Sequence, residues 1–336
     1  MLAGERAGHR STGCGLVSAV AAFEVQRRAA AGSPSRRRRR SASRWQLAAS
    51  WPAVAGSAVL VLLACALLAP WPLLAGAPPV MWAGGAAAAL TRRGERVAVR
   101  LACGFRRPRP DQAALLNGAA RRVLAAAGLP AERVDVYVRP GAQVNGFAAG
   151  GHSVAISHRA LEDCAARRHS QVVTEALLAH EVGHLVVPGA RFALAVWWLA
   201  TPWRITSRVV MTVCLLLSAG RRQPRRLLAA VAATAVALGV AQAIGRGEWP
   251  AAACLATAPI LTVGCPLLGA AAGRATEYAA DAFAATCGYG PALTWALTHH
   301  LGRPEPAAGW LGRMLADHPT DGQRLYALGE PSGGRL

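Results

Sequence analysis

Two histidines four residues apart, with a glutamate beside the first, interrupt an apolar run at Ala176–Val187, ALLAHEVGHLVV. On a helix, positions i and i+4 share a face, so His180 and His184 can offer both imidazoles to one point. Buried imidazoles and carboxylates without partners are costly. A zinc ion would supply that partner, because it accepts imidazole nitrogen and at catalytic sites takes three protein ligands plus a water. Glu181, next to the first histidine, is placed to remove a proton from that water. The pattern His180-Glu181-Val182-Gly183-His184 is HExxH, and its chemistry is hydrolysis by metal-bound water. The competing reading is a packed helix with satisfied core histidines.

A third ligand has to come from elsewhere. The extended pattern HExxHxxGxxH fails, because Val187 and Ala190 stand at its last two fixed positions. Downstream, GRATEYAADAFAA places Glu277 and Asp281 at i and i+4 among small apolar residues. The chain has 17 acidic residues in 336, so two on one apolar helix face carry information. Glu277 is the expected ligand, and Asp281 the group that orients a ligand imidazole through its other ring nitrogen. A solvated acidic face is the alternative.

The elements that position these residues read as mixed. Asp111 to Ala127 has helical spacing, closed by Gly128 and Pro130. VDVYVRP alternates as a strand, and GFAAGGHSVAISHRAL suggests a glycine turn, the strand SVAIS and then a helix. The motif helix is expected over 171–187, N-capped by Ser170 and ended by Pro188-Gly189.

Around these lie long apolar blocks. The chain is 53% hydrophobic and 16% charged, with a mean hydropathy of +0.28, so membrane segments are expected. Residues 1–44 are polar and Arg-rich and read as a disordered tail. Residues 45–91 lack charge and are long enough for a transmembrane hairpin. Residues 92–191 form the first part of a catalytic domain. Within 192–226, Phe192–Trp203 and Val209–Gly220 are short runs broken by Arg204 and Arg208, expected to lie along the membrane or to form one interrupted span. Residues 227–273 read as a second hairpin, and 274–336 as the rest of the catalytic domain. Arginines flank both hairpins on the same side, at Arg36–Arg40, Arg92–Arg93, Arg221–Arg226 and Arg274. That places the polar parts in the cytoplasm of a multi-pass plasma-membrane protein. The net charge of +20 fits such flanks better than nucleic-acid binding, since basic and aromatic residues are not interleaved. Eight cysteines without a CxxC pair read as small apolar fillers in a reducing compartment.

HExxH, a membrane hairpin and then RATEYAAD together resemble the HtpX-type integral-membrane zinc metalloendopeptidases, gluzincins related to the CAAX prenyl proteases. VNGFAAGGHSVAISHRAL resembles the family's Asn-x-Phe-Ala segment, with Asn145 and Phe147 in the matching places. ADHPTDGQRLYAL resembles its His-Pro segment, with His318, Pro319 and Arg324. The likeness covers about residues 45–330. It implies an α+β, mainly α, zincin-like domain interrupted by and anchored through transmembrane helical hairpins. It also implies one Zn2+ per chain on His180, His184 and Glu277, Glu181 as general base, Asp281 behind the ligands, Asn145 near a substrate-binding edge strand, and His318 at the oxyanion or substrate. Gly146, where the family usually has Ala, is expected to be a minor departure.

The expected activity is peptide-bond hydrolysis of membrane or misfolded proteins, with protein or peptide substrates and the lipid bilayer as partners and no nucleic acid. An antibiotic-receptor-type sensor protease, an intramembrane site-two-type protease and a non-catalytic scaffold are the rival readings. Substrate identity and oligomeric state are not legible in the sequence.

Overall fold

A computed structural model describes residues 34–187, 189–217, 222–301 and 318–329. Residues 1–33 of the expected tail lie outside the described residues. From Pro34 onward the backbone is already helical, so the first helix begins inside the Arg-rich segment rather than at Trp45.

Helix α1 runs Pro34–Leu67, followed by a single turn α2 (Pro72–Ala75), then α3 (Ala77–Ala89) and α4 (Arg92–Ala102). Among the described residues, Leu47–Leu67 is by itself long and apolar enough to cross a bilayer. Pro72–Ala89 reaches that standard only together with α4, across a bend of 107°. The second arm of the expected 45–91 hairpin therefore does not reach that standard by itself, and the bend falls at Leu90 and Thr91, where Thr91 caps α4.

The catalytic segment then builds α5 (Pro110–Ala127), β1 (Asp135–Arg139), β2 (Gly146–Ala149), β3 (Ser153–Ser157), α6 (His158–Ala165) and α7 (Gln171–Leu185). Gly128 closes α5 in the left-handed conformation, as its position predicts. The sheet order is β1-β3-β2, with β1 parallel and β2 antiparallel to β3. VDVYVRP and SVAIS form the two expected strands, and β2 lies at an edge. Helix α7 begins where expected. Ser170 occupies its N-cap with extended backbone, but its hydroxyl accepts no cap hydrogen bond.

Residues Val173 to Gly183 of α7 are all buried, in one core with Leu116 and Val123 of α5, Val154 and Ile156 of β3, and Leu293 of α11 (Gly290–Ala296). A helix enclosed on all sides needs apolar residues all round, and ALLAHEVGHLVV supplies them except at the three polar positions.

The stretch expected as two short runs is one helix, α8 (Ala190–Leu217), with Pro202 inside it. Proline disturbs the helical ladder by losing a donor and crowding the preceding turn. Two neighbouring helices satisfy groups at that point. Trp203 N–H donates to Ser57 Oγ of α1 at 3.0 Å, and Trp82 Nε1–H of α3 donates to Leu199 O at 2.9 Å. Helices α9 (Arg222–Gly245) and α10 (Trp249–Thr286) fold back on each other through Gly247, whose φ is +72°. Helix α10 continues without a break past residue 273, so Glu277 rides on the helix that also forms the second arm of the 227–273 hairpin. A last helix, α12, spans Asp321–Gly329. Cys65, Cys103, Cys164, Cys254 and Cys265 are free thiols, and Cys287 lies in the core.

Candidate metal centre

The site forms where α7 crosses α10. Gly183, one of the two unspecified residues of HExxH, faces Ala280. A Cβ added at Gly183 would lie 2.9 Å from Ala280 Cα and 3.1 Å from its carbonyl oxygen. Two small residues thus let the backbones approach. The i, i+4 pair His180/His184 then meets the i, i+4 pair Glu277/Asp281.

Three donors converge. His180 Nε2 lies 3.2 Å from His184 Nε2 and 3.3 Å from Glu277 Oε2, and His184 Nε2 lies 3.6 Å from Glu277 Oε1. A tetrahedral ion with bonds of about 2.0–2.1 Å sets its ligand atoms about 3.3 Å apart. The observed separations match that edge, and two imidazoles with one carboxylate is a donor set that suits zinc. His180, His184 and Glu277 are thus able to hold such an ion together.

A second layer fixes the first. His180 Nδ1–H donates to Asp281 Oδ1 at 2.8 Å, so once the ring is neutral its lone pair lies on Nε2, toward the other two donors. Arg324, from α12, grips Asp281 with two hydrogen bonds of 2.8 and 2.6 Å, and its Nη1 lies 3.8 Å from Glu277 Oε2. His318 is largely exposed and donates Nδ1–H to Glu277 Oε1 at 2.9 Å. Asn145 is exposed at the start of β2, and its side-chain oxygen accepts from the N–H of Gly146 at 2.9 Å. It is not among the converging groups.

Glu181 is buried and turned toward β2. A Cβ at Gly146 would come within 2.6 Å of Glu181 Cγ and 2.7 Å of its Oε1. The glycine is therefore not a minor departure here, since its bare backbone makes the space that the carboxylate fills.

Burial and charge set the protonation of these groups. Burial pushes Glu181 up to about 7, against the pull of His180. Burial also drives His184 down to about 4, helped by the neighbouring His180. Burial opposes the charged form of His180, but its bonds to Asp281 and Glu277 prevail and raise it to about 10. Desolvation likewise works against Glu277 and Asp281. Hydrogen bonds from His180 and His318 to the first, and from Arg324 and His180 to the second, hold both well below the usual carboxylate range. Without an ion, a proton on His180 supplies positive charge among these carboxylates, so an incoming metal has to displace it.

Sequence reasoning gave no role to three contributors. Gly183 and Gly146 matter through missing side chains, which no motif weighs. Arg324 was visible only as part of the His-Pro segment. The signal that could have found it is the need of a buried aspartate for a cation.

The family model described as peptidase family M48 matches residues 110–332. That stretch contains HExxH, the Glu277 helix and the His-Pro segment. None of the curated proteins searched matches the chain.

Proposed function

The chain belongs to peptidase family M48, a family of metallopeptidases, and on that premise we propose that it is a membrane-bound zinc metalloendopeptidase. Its substrates are membrane or misfolded proteins cut at the cytoplasmic face. The observation that carries this reading is the convergence of His180, His184 and Glu277 at tetrahedral spacing, with Glu181 beside them.

A zinc ion held by those three residues would supply a bound water of near-neutral pKa and a Lewis acid for the scissile carbonyl. Glu181 would accept a proton from the attacking water and return it to the leaving amine. Strand β2 is an edge strand among the described residues, and an extended substrate adds there as a further strand, past Asn145 and next to Glu181. His318, exposed beside Glu277, is in place to meet charge developing on the substrate oxygen. Asp281 and Arg324 keep His180 oriented.

Leu47–Leu67 has 21 residues. At about 1.5 Å per residue it spans roughly 31 Å, the thickness of a hydrocarbon core. Trp45 and Trp71, both exposed, bracket it as interfacial aromatics do. The Arg-rich flanks favour a cytoplasmic site. Helices α8, α9 and α10 join two halves of one site, so an even number of membrane crossings must lie between them. The hairpin at 227–273 meets that count, with α8 lying at the interface.

The test is zinc content and casein cleavage of the detergent-purified chain beside Glu181→Gln and Glu277→Ala. We expect about one zinc and cleavage from wild type, zinc without cleavage from Glu181→Gln, and loss of metal from Glu277→Ala. A wild type with no zinc, indistinguishable from both variants, overturns the reading.

A further inference from the structure

Helix α4 carries a surface that the hydrolytic site does not use. Its residues divide into two faces. Arg92, Glu95, Arg96 and Val99 turn inward. Arg92 and Arg96 both bind Asp135 at the start of β1, at 2.9 Å each. Val99 is fully buried with Phe105, Tyr137 and Ala155. Glu95, 3% exposed, accepts from the N–H groups of Gly151 and His152 at 3.0 and 2.9 Å and from Ser153 Oγ at 2.8 Å. These contacts fix the rotation of the helix.

The other face is held outward as a result. Arg93, Val97, Arg100 and Leu101 recur at i, i+4, i+7 and i+8, a stripe about 100° wide. All four are exposed, Val97 by 54% and Leu101 by 83%. The stripe mixes two arginines with two large apolar side chains and contains no acid.

The helix also sits at a corner. It leaves α3 at 107°, so if α3 runs along the bilayer normal, α4 lies nearly in the plane of the membrane. Thr91 caps it, accepting from Gly94 N–H at 3.0 Å. Gly94 packs so closely against the carbonyl of Ala88 that a Cβ there would collide with it. The corner is therefore fixed by backbone packing. Leu90, at the bend and 51% exposed, extends the apolar surface back toward α3.

We propose that the outer face of α4 docks on the headgroup layer of an anionic bilayer, with Arg93 and Arg100 on lipid phosphates and Val97 and Leu101 at the acyl boundary. Arginine around an apolar ridge is the composition of an interfacial helix, and anionic lipid complements its charge. The inner face ties that contact to the site. Glu95 holds the β2–β3 turn, so lipid docking sets the height of edge strand β2 above the membrane. This inference rests on the membrane-bound reading above.

The test places the photo-crosslinker p-benzoylphenylalanine at Leu101 in the full chain, and separately at Leu62, an exposed residue of the Leu47–Leu67 span. Nanodiscs contain phosphatidylcholine with or without phosphatidylglycerol, and adducts are identified by mass. We expect lipid adducts from position 62 in both membranes. From position 101 we expect lipid adducts that need phosphatidylglycerol. Arg93→Gln and Arg100→Gln should each lower that yield about fivefold, from about 1 kcal/mol of surface attraction per basic side chain. Lipid adducts at 62 with none at 101, with protein adducts at 101, or with yields at 101 indifferent to phosphatidylglycerol, overturn the docking of α4. No lipid adduct at 62 overturns the membrane-bound reading instead.

Discussion

Glu95 and Glu277 are both buried glutamates, 3% and 6% exposed, yet their surroundings differ in kind. The partners of Glu95 are committed donors: two backbone N–H groups, a serine hydroxyl and the ring of His152 at 3.2 Å. Its carboxylate is saturated, and it ties a helix to a turn. Glu277 accepts from His318 Nδ1–H and has Arg324 nearby, but it also faces two imidazole nitrogens, on His180 and His184, which can turn lone pairs toward the same point. A saturated carboxylate is structural cement. One that shares its space with other acceptors calls for a cation. Burial by itself therefore does not identify a reactive acid; the character of its neighbours does.

Substitutions can break that contrast. The largest effect is expected for Glu277→Gln, which should cut zinc affinity more than about 100-fold, beyond what losing an outer-layer partner costs. Metal titration would show this. Glu95→Gln should do the reverse. An amide keeps one acceptor oxygen but turns its NH2 toward two of the four donors, which costs about 1–3 kcal/mol of stability, while the folded fraction still holds its zinc. If denaturation and metal analysis found Glu95→Gln zinc-free but stable, the distinction between the two glutamates would collapse.

Smaller changes sharpen it. Asp281→Asn should weaken zinc binding about 10–100-fold, and Arg324→Gln should act in the same direction with smaller size, because it reaches the ion through Asp281. Gly146→Ala should keep zinc but slow turnover about tenfold, since displacing Glu181 by a fraction of an ångström spoils its alignment. Unchanged kcat in that variant would mean that the carboxylate has another position from which to work.

The smallest effect concerns acid stability. Burial opposes ionisation of Asp163, but Arg168 and Arg159 overcome it and hold its carboxyl below the ordinary range. A carboxyl depressed in the folded state stabilises above its unfolded pKa of about 3.9, and that contribution is lost as pH falls through the folded value. Asp163→Asn should therefore lose stability near neutral pH and converge on wild type in strong acid. Melting curves from neutral to acid pH would reveal a constant offset if the aspartate is not ionised in the fold.

Much of this was legible in the chain itself. HExxH specified a shared helix face, and Glu277 and Asp281 specified a second. The alternation in VDVYVRP and SVAIS gave strands, and Gly128 gave a helix end. These features are local, decided by periodicities of two and of 3.6 residues and by which backbone angles a side chain tolerates. The long apolar runs gave helices, but their boundaries were misjudged. The two runs around Arg204 and Arg208 form one helix because Ser57 and Trp82 serve backbone groups beside Pro202, which no local pattern records.

The sequence by itself determined which residues could do chemistry, and that each pair would lie on one face of a helix. Only the tertiary structure decided that the two faces meet. That meeting depends on Gly183 against Ala280, and on Arg324 reaching Asp281 from 43 residues away. The placement of Glu181 depends on the bare backbone of Gly146. Such contacts are set by what a residue lacks and by what a distant segment brings. Neither leaves a periodic trace, so both appear only when the chain is packed.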